Sequence, residues 1–146
     1  MRSLSYVLGL AAGLGLSMKI AMNSQLRKVL QSANTAALIS FLVGTTALIA
    51  LLLATRSPLP ERSALAAVPW WAWFGGLLGA FYVATSTVVA AELGTASLLG
   101  LALAGQLATA LVIDHFGWLG MPEHPLTLTR IAGVGLLASG VWLITR

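Results

Sequence analysis

The sequence predicts an all-α integral membrane protein of five transmembrane helices with no soluble domain of its own. Three observations lead there. Of 146 residues, 58% are hydrophobic and only 8% charged, whereas a soluble domain carries roughly 25% charged residues. Mean hydropathy is +0.92. The apolar residues also gather into five runs, each near the ~20 residues that a helix rising ~1.5 Å per residue needs to cross ~30 Å of hydrocarbon. These runs are too long and too evenly apolar for the alternating strands of a membrane barrel.

The first span runs from Leu4 to Met22. Arg2 ahead of Leu8 to Leu16 has the look of a signal peptide, but no small-x-small cleavage site follows and four more spans do. The second span is Thr35 to Ala54, and Ser57-Pro58-Leu59-Pro60 breaks the chain after it. The third is Pro69 to Ala91. Pro69 suits a first helical turn, where no backbone donor is needed, and Trp70, Trp71 and Trp73 form an aromatic belt at headgroup level. Glu92-Leu93-Gly94 makes a tight turn, with Gly94 expected in a left-handed conformation and Thr95 expected to cap the next helix. The fourth span is Thr95 to Ile113. Asp114 to Pro125 is the longest polar connection, and Leu126 to Ile144 is the fifth span. A single domain over residues 1–146 is expected, the bilayer being its solvent.

The net charge of +4 does not point to nucleic acid, because the eight Lys/Arg are spread singly beside apolar runs instead of forming a basic stripe. That distribution fits interfacial anchors. With five crossings, Arg2, Arg56, Arg62 and Arg130 fall on one face of the membrane; Lys19, Arg27, Lys28 and Arg146 fall on the other. Orientation normally follows an excess of Lys/Arg in cytoplasmic loops. A balanced chain therefore predicts dual topology, with a single orientation as the competing reading. Two oppositely oriented copies would pair as an antiparallel homodimer, which is the arrangement of carriers built from inverted repeats.

Small residues at four-residue spacing mark where helices approach: Ala96, Gly100, Ala104 and Ala108 in the fourth span, Gly75 and Gly79 in the third, Gly9 and Gly13 in the first. Ordinary Gly/Ala enrichment of membrane helices competes with that reading. Polar residues within spans are costly in hydrocarbon and so are the first candidates for a site. Lys19 and Asn23 share a face near the end of the first span. Lys19 is also close enough to the interface to snorkel. Gln106 lies mid-span, where an interhelical hydrogen bond competes with a binding role. Tyr82, Thr85, Ser86 and Thr87 dot the third span, and back-bonding to their own helix is the expected fate of the hydroxyls of the last three.

No carboxylate sits mid-span, which argues against proton coupling through a central acid. Lys19 beside Asn23 favours neutral, zwitterionic or anionic substrates. Asp114, His115, Glu123 and His124 bring four metal-ligating side chains into one loop, but their spacing matches no ligand pattern, so a hydrated loop and no metal site is expected. The chain has no cysteine, which removes disulfides and thiolate chemistry. No nucleophilic triad, phosphate loop or catalytic carboxylate pair is present, so neither an enzyme nor a cofactor is expected.

The stretch from Lys19 through Ile20-Ala21-Met22-Asn23-Ser24-Gln25-Leu26 to Arg27, followed by Ile39-Ser40-Phe41-Leu42-Val43-Gly44-Thr45, resembles the small YdcZ-like family of the drug/metabolite transporter superfamily. Trp70-Trp71 with Gly75 to Phe81, and Gly94-Thr95-Ala96, continue the likeness. Gly105-Gln106-Leu107, Ile113 to Gly117 and Thr129 to Gly133 complete it over nearly the whole chain. The resemblance implies five-helix subunits paired antiparallel as halves of a ten-helix inverted-repeat fold, in a bacterial inner membrane, with a role in export. It also implies a cavity lined by the first, third and fourth helices, with Gly133, Gly135 and Gly140 of the fifth near the dimer contact. In that family's pattern a Gln stands four residues before the Asn23 position, where this chain has Lys19.

The expected function is therefore a metabolite or drug exporter working by alternating access. Asn23 and Gln106 would hydrogen-bond a small-molecule substrate, Lys19 would supply charge and Tyr82 an aromatic wall. The alternatives are a non-transporting membrane subunit or assembly partner, and a flippase for lipid-linked substrates.

Overall fold

The computed structural model describes residues 2–146, and among these every regular element is helical. In chain order they are α1 (Arg2–Leu30), α2 (Ala33–Ala54), the short α3 (Arg62–Ala66), a 3₁₀ turn at Trp70–Phe74, α4 (Gly75–Leu93), α5 (Thr95–Phe116) and α6 (Leu128–Ile144). Four helical stretches are long and apolar enough to cross a membrane: Ser3–Leu30, Ala33–Ala54, Trp70–Leu93 and Thr95–Phe116. The fifth apolar helix, Leu128–Ile144, is shorter at 17 residues. By contacts the chain divides into two compact units, Met1–Val88 and Val89–Arg146.

In the first unit, α1 continues well past Met22, where the apolar run ends. The reason lies in Gln25-Leu26-Arg27-Lys28-Val29-Leu30, which contains no Gly or Pro and is rich in good helix formers. Arg27 and Lys28 occupy the last turn, where cations meet the negative end of the helix dipole. The break comes at Gln31, in the left-handed region at φ 52, whose side-chain amide donates to the Lys28 carbonyl at 2.7 Å. Ser32 then caps α2, its hydroxyl accepting from the Thr35 amide at 3.2 Å. So short a link folds α2 back along α1, and the two pack with Ile20 and Ala36 buried, while Ala37, also buried, lies on the side of α2 that forms a groove with α4. A small residue at Ala36 lets the two backbones approach closely.

Pro69 does not enter an α-helix. It precedes the 3₁₀ turn that carries Trp70, Trp71 and Trp73, and α4 begins only at Gly75. The three indoles are exposed, and Trp70 packs edge-on against Phe74 with ring centroids 5.9 Å apart. Of the small residues expected to pack on this helix, Gly79 lies against Phe41, whose ring edge would be 3.6 Å from an added Cβ. Gly75 has open space around it, as do Gly9 and Gly13 on α1.

In the second unit the turn before α5 differs from the expectation. Gly94 is itself the N-cap, at φ 83 and ψ 158, and Thr95 is the first helical residue, making no capping bond. That backbone conformation is essentially restricted to glycine, so Gly94 sets the turn and leaves no capping position for Thr95. Helices α5 and α6 pack as an antiparallel pair. Gly100 faces Val141 so closely that an added Cβ would lie 3.1 Å from a valine methyl carbon. Ala104 is half-buried, whereas Ala96 and Ala108 are exposed.

At the other end of the pair, α5 stops at Gly117, left-handed at φ 61. The return loop is tied down by the His124 amide donating to the Asp114 carbonyl at 2.7 Å. Arg130 donates to the Asp114 carboxylate at 3.4 Å and to the His124 carbonyl at 3.2 Å. Thr127 caps α6 by accepting from the Arg130 amide.

Candidate functional site

The polar residues of the spans have unlike fates. Ser86 and Thr87 are buried, and each hydroxyl donates to a carbonyl of its own helix, Val83 at 2.9 Å and Ala84 at 2.8 Å. They are satisfied without any ligand. Asn23 is only 4% exposed, yet its side-chain amide makes no hydrogen bond among the described residues. The hydroxyls of Ser24 and Tyr82 are buried and likewise unpartnered. All three belong to the first unit.

Asn23 and Lys19 share a groove of about 380 Å³ between α1 and α2, walled by Met18, Met22, Ile39 and Val43. The Lys19 ammonium stands 5.5 Å from the centroid of the Phe41 ring, within the range of a cation–π contact. Phe41 also lines a second groove of about 510 Å³, with Phe81 and Ala84 of α4 among its walls. Tyr82 follows Phe81 on α4 and is half-buried.

Gln106 belongs to the second unit, where it is exposed on α5 and makes no hydrogen bond among the described residues. The α5–α6 cleft, about 520 Å³, is lined by Gly, Ala, Leu, Ile and Val only. With no polar side chain to orient a ligand, it is a packing seam. Asp114 and His115 do not belong to the expected loop but to the last turn of α5, which runs on to Phe116 because no breaker stands before Gly117. Asp114 pairs with Arg130 of α6, and the His115 Nδ1 accepts from the Leu126 amide at 3.3 Å, while Glu123 and His124 follow in the loop with exposed side chains. Among the described residues no three His, Cys, Asp or Glu come together as a metal site.

Two residues of this region escape a reading of the sequence. Ser24 becomes visible once α1 extends to Leu30, because Ile20, Asn23 and Ser24 are then spaced i, i+3 and i+4 on one covered face. Phe41 is one apolar residue among many, and nothing in its spacing signals a contact with Lys19.

A family described as "Putative inner membrane exporter, YdcZ" matches residues 4–143. The chain belongs to the YdcZ family. It is 30% identical to the Inner membrane protein YdcZ of Escherichia coli strain K12 over 148 aligned positions, covering 99% of this chain and 97% of the relative. No solved structure matches. Membership makes this an inner-membrane protein of an exporter family, not of an enzyme family, and supports a role in membrane transport.

Proposed function

We propose that the chain exports a small molecule by alternating access as an antiparallel homodimer, each copy contributing five membrane-spanning helices to a ten-helix inverted-repeat assembly. The observation that carries this reading is a set of polar groups on membrane helices that the chain leaves unpartnered: the buried hydroxyls of Ser24 and Tyr82, and the amide of the buried residue Asn23, which lines the α1–α2 groove. In hydrocarbon an unpaired amide or hydroxyl costs several kcal/mol. A substrate or water relieves that cost, so these groups suit a binding cavity better than a sealed core.

Gln106 supports the same reading from the other unit. A mid-span amide left without a partner in its own unit calls for one beyond it, and a second copy or a substrate meets the need. Helix α6, at 17 residues, extends about 26 Å, which is within the lower range for a span. Five crossings with Lys/Arg divided four and four leave insertion without a preferred direction. Lys19, Asn23, Tyr82 and Gln106 are the proposed substrate contacts, and Gly75, Gly79, Ala96, Gly100, Ala104 and Ala108 the proposed packing positions.

The test is a flux screen of chemically diverse metabolites in vesicles carrying the purified protein, with and without a pH gradient. For any solute carried, Asn23→Ala and Gln106→Ala should abolish flux while the dimer persists; unchanged flux removes that residue from the site. Protein that moves no solute but copurifies with one stoichiometric partner indicates a non-transporting subunit instead. Reporters fused to the C-terminus should signal on both sides of the membrane, and signal confined to one side eliminates dual topology.

A further inference from the structure

Lys19 is a cation exposed on α1 within a candidate span, and among the described residues it has no counter-ion. Its ammonium stands against Phe41, eight residues beyond the first residue of α2, so it lies about 12 Å along that helix from its start. Among the described residues the acids are occupied elsewhere or exposed: Asp114 pairs with Arg130, Glu61 accepts from Ser63, and Glu92 and Glu123 are exposed. The ring quadrupole offsets only part of a full charge. The same groove is lined by the amide of the buried residue Asn23 and by the half-buried Ser40, and the rest of its wall is Gly15, Met and aliphatic side chains.

The balance of that lining selects a charge class. A cationic ligand would meet like charge with no carboxylate to receive it. A zwitterion would leave its own ammonium without an acid partner. A dianion would bring two charges to one. A monoanion neutralises Lys19 and leaves nothing unpaired.

We propose that the groove between α1 and α2 binds the carboxylate of a small organic monoanion through Lys19 and Asn23, and seats its apolar body against Met18, Met22 and Val43. This rests on reading the same groove as part of a transport site. The Asn23 amide donates to the second carboxylate oxygen, which accounts for an amide that lines the groove and has no partner among the described residues. The Phe41 ring, 5.5 Å from the ammonium, favours its position at the groove.

Benzoate, benzamide and benzylamine share one ring and differ in charge, so they isolate the electrostatic term. Equilibrium dialysis against the full chain in lipid nanodiscs, corrected with empty nanodiscs, should give benzoate about tenfold or more tighter than benzamide, with benzylamine weakest. Lys19→Gln should bring benzoate down to the level of benzamide, and Lys19→Arg should keep the preference. Benzamide or benzylamine binding the unmodified protein as tightly as benzoate overturns the proposal, as does a benzoate preference that survives Lys19→Gln. If benzamide binds without any preference for benzoate, the anion assignment fails while the groove remains a binding site. If none of the three binds, the reading of the groove as part of a transport site fails with it.

Discussion

Gly100 faces Val141 across the α5–α6 pair, and an added Cβ would lie 3.1 and 3.2 Å from the two valine methyl carbons. Carbon atoms rest at about 3.5–4.0 Å, so Gly100→Ala demands a retreat of about half an ångström. Val141 cannot swing aside, being 7% exposed and β-branched, with one strongly preferred rotamer in a helix. The two helices must separate, and overpacking of this kind costs about 1–3 kcal/mol. Alanine recovers about 1 kcal/mol of helix propensity. The net expectation is a loss of about 1 kcal/mol, from the midpoints of those ranges.

Val141→Ala removes both methyls and with them the clash, so the double variant should show a favourable coupling of about 1 kcal/mol or more. Equilibrium unfolding of the four proteins in mixed micelles of rising SDS fraction, followed by circular dichroism, measures the cycle. Strict additivity, or a Gly100→Ala protein more stable than the parent, would refute the close approach. The result matters because association in lipid lacks the hydrophobic drive of water and relies on such backbone proximity.

Tyr82→Phe removes a buried hydroxyl that has no partner, so resting stability should hold or rise by up to about 1 kcal/mol, while flux of any transported solute falls; a clear loss of stability would mean the hydroxyl is already bonded. Gly94→Ala forces a Cβ onto a backbone at φ 83 and ψ 158, a strain of about 1–3 kcal/mol, to be read as a lowered unfolding midpoint, and an unshifted midpoint would show that the turn adapts. The Arg130–Asp114 pair has side chains 37% and 28% exposed, so a cycle of Arg130→Gln and Asp114→Asn should give a coupling of at most about 1 kcal/mol that shrinks with added salt. A larger, salt-insensitive coupling would mean the pair is dry in the membrane.

The outline of the helices was legible because each break carries local chemistry. Gly94 and the Pro-rich stretch at residues 58–60 interrupt the apolar runs wherever they stand, whatever lies beside them. The end of α1 was not legible, since Gln25 to Leu30 is polar enough to end an apolar run but has every property of a helix. The break at Gln31 and Ser32 depends on a side-chain bond to Lys28 and on a cap, neither of which hydropathy registers. Thr95 was misread for a related reason. Its type suits a cap, but the φ of Gly94 assigns that position one residue earlier.

The candidate site was legible only as residue types. Asn23 and Tyr82 stand out as polar residues in hydrocarbon; the Tyr82 hydroxyl proves to be covered and unpartnered, and the amide of the buried Asn23 lines a groove without a partner. That Ser86 and Thr87 are satisfied by their own helix while Ser24 is not depends on rotamers that no spacing encodes. The ring that holds Lys19 comes from α2, a helix apolar on every side, so periodicity could not single out Phe41.

By itself the sequence determined the solvent, the helical class and the family, because transfer into lipid sums over residues and the breaks are local. Only the tertiary structure decided which faces meet: α1 on α2 through Ile20 and Ala36, Gly100 on Val141, Lys19 over Phe41. The physical reason is that lipid and a neighbouring helix are equally apolar. In water a buried face differs from an exposed one in composition; in a bilayer the two differ only in shape and in the few polar atoms between them.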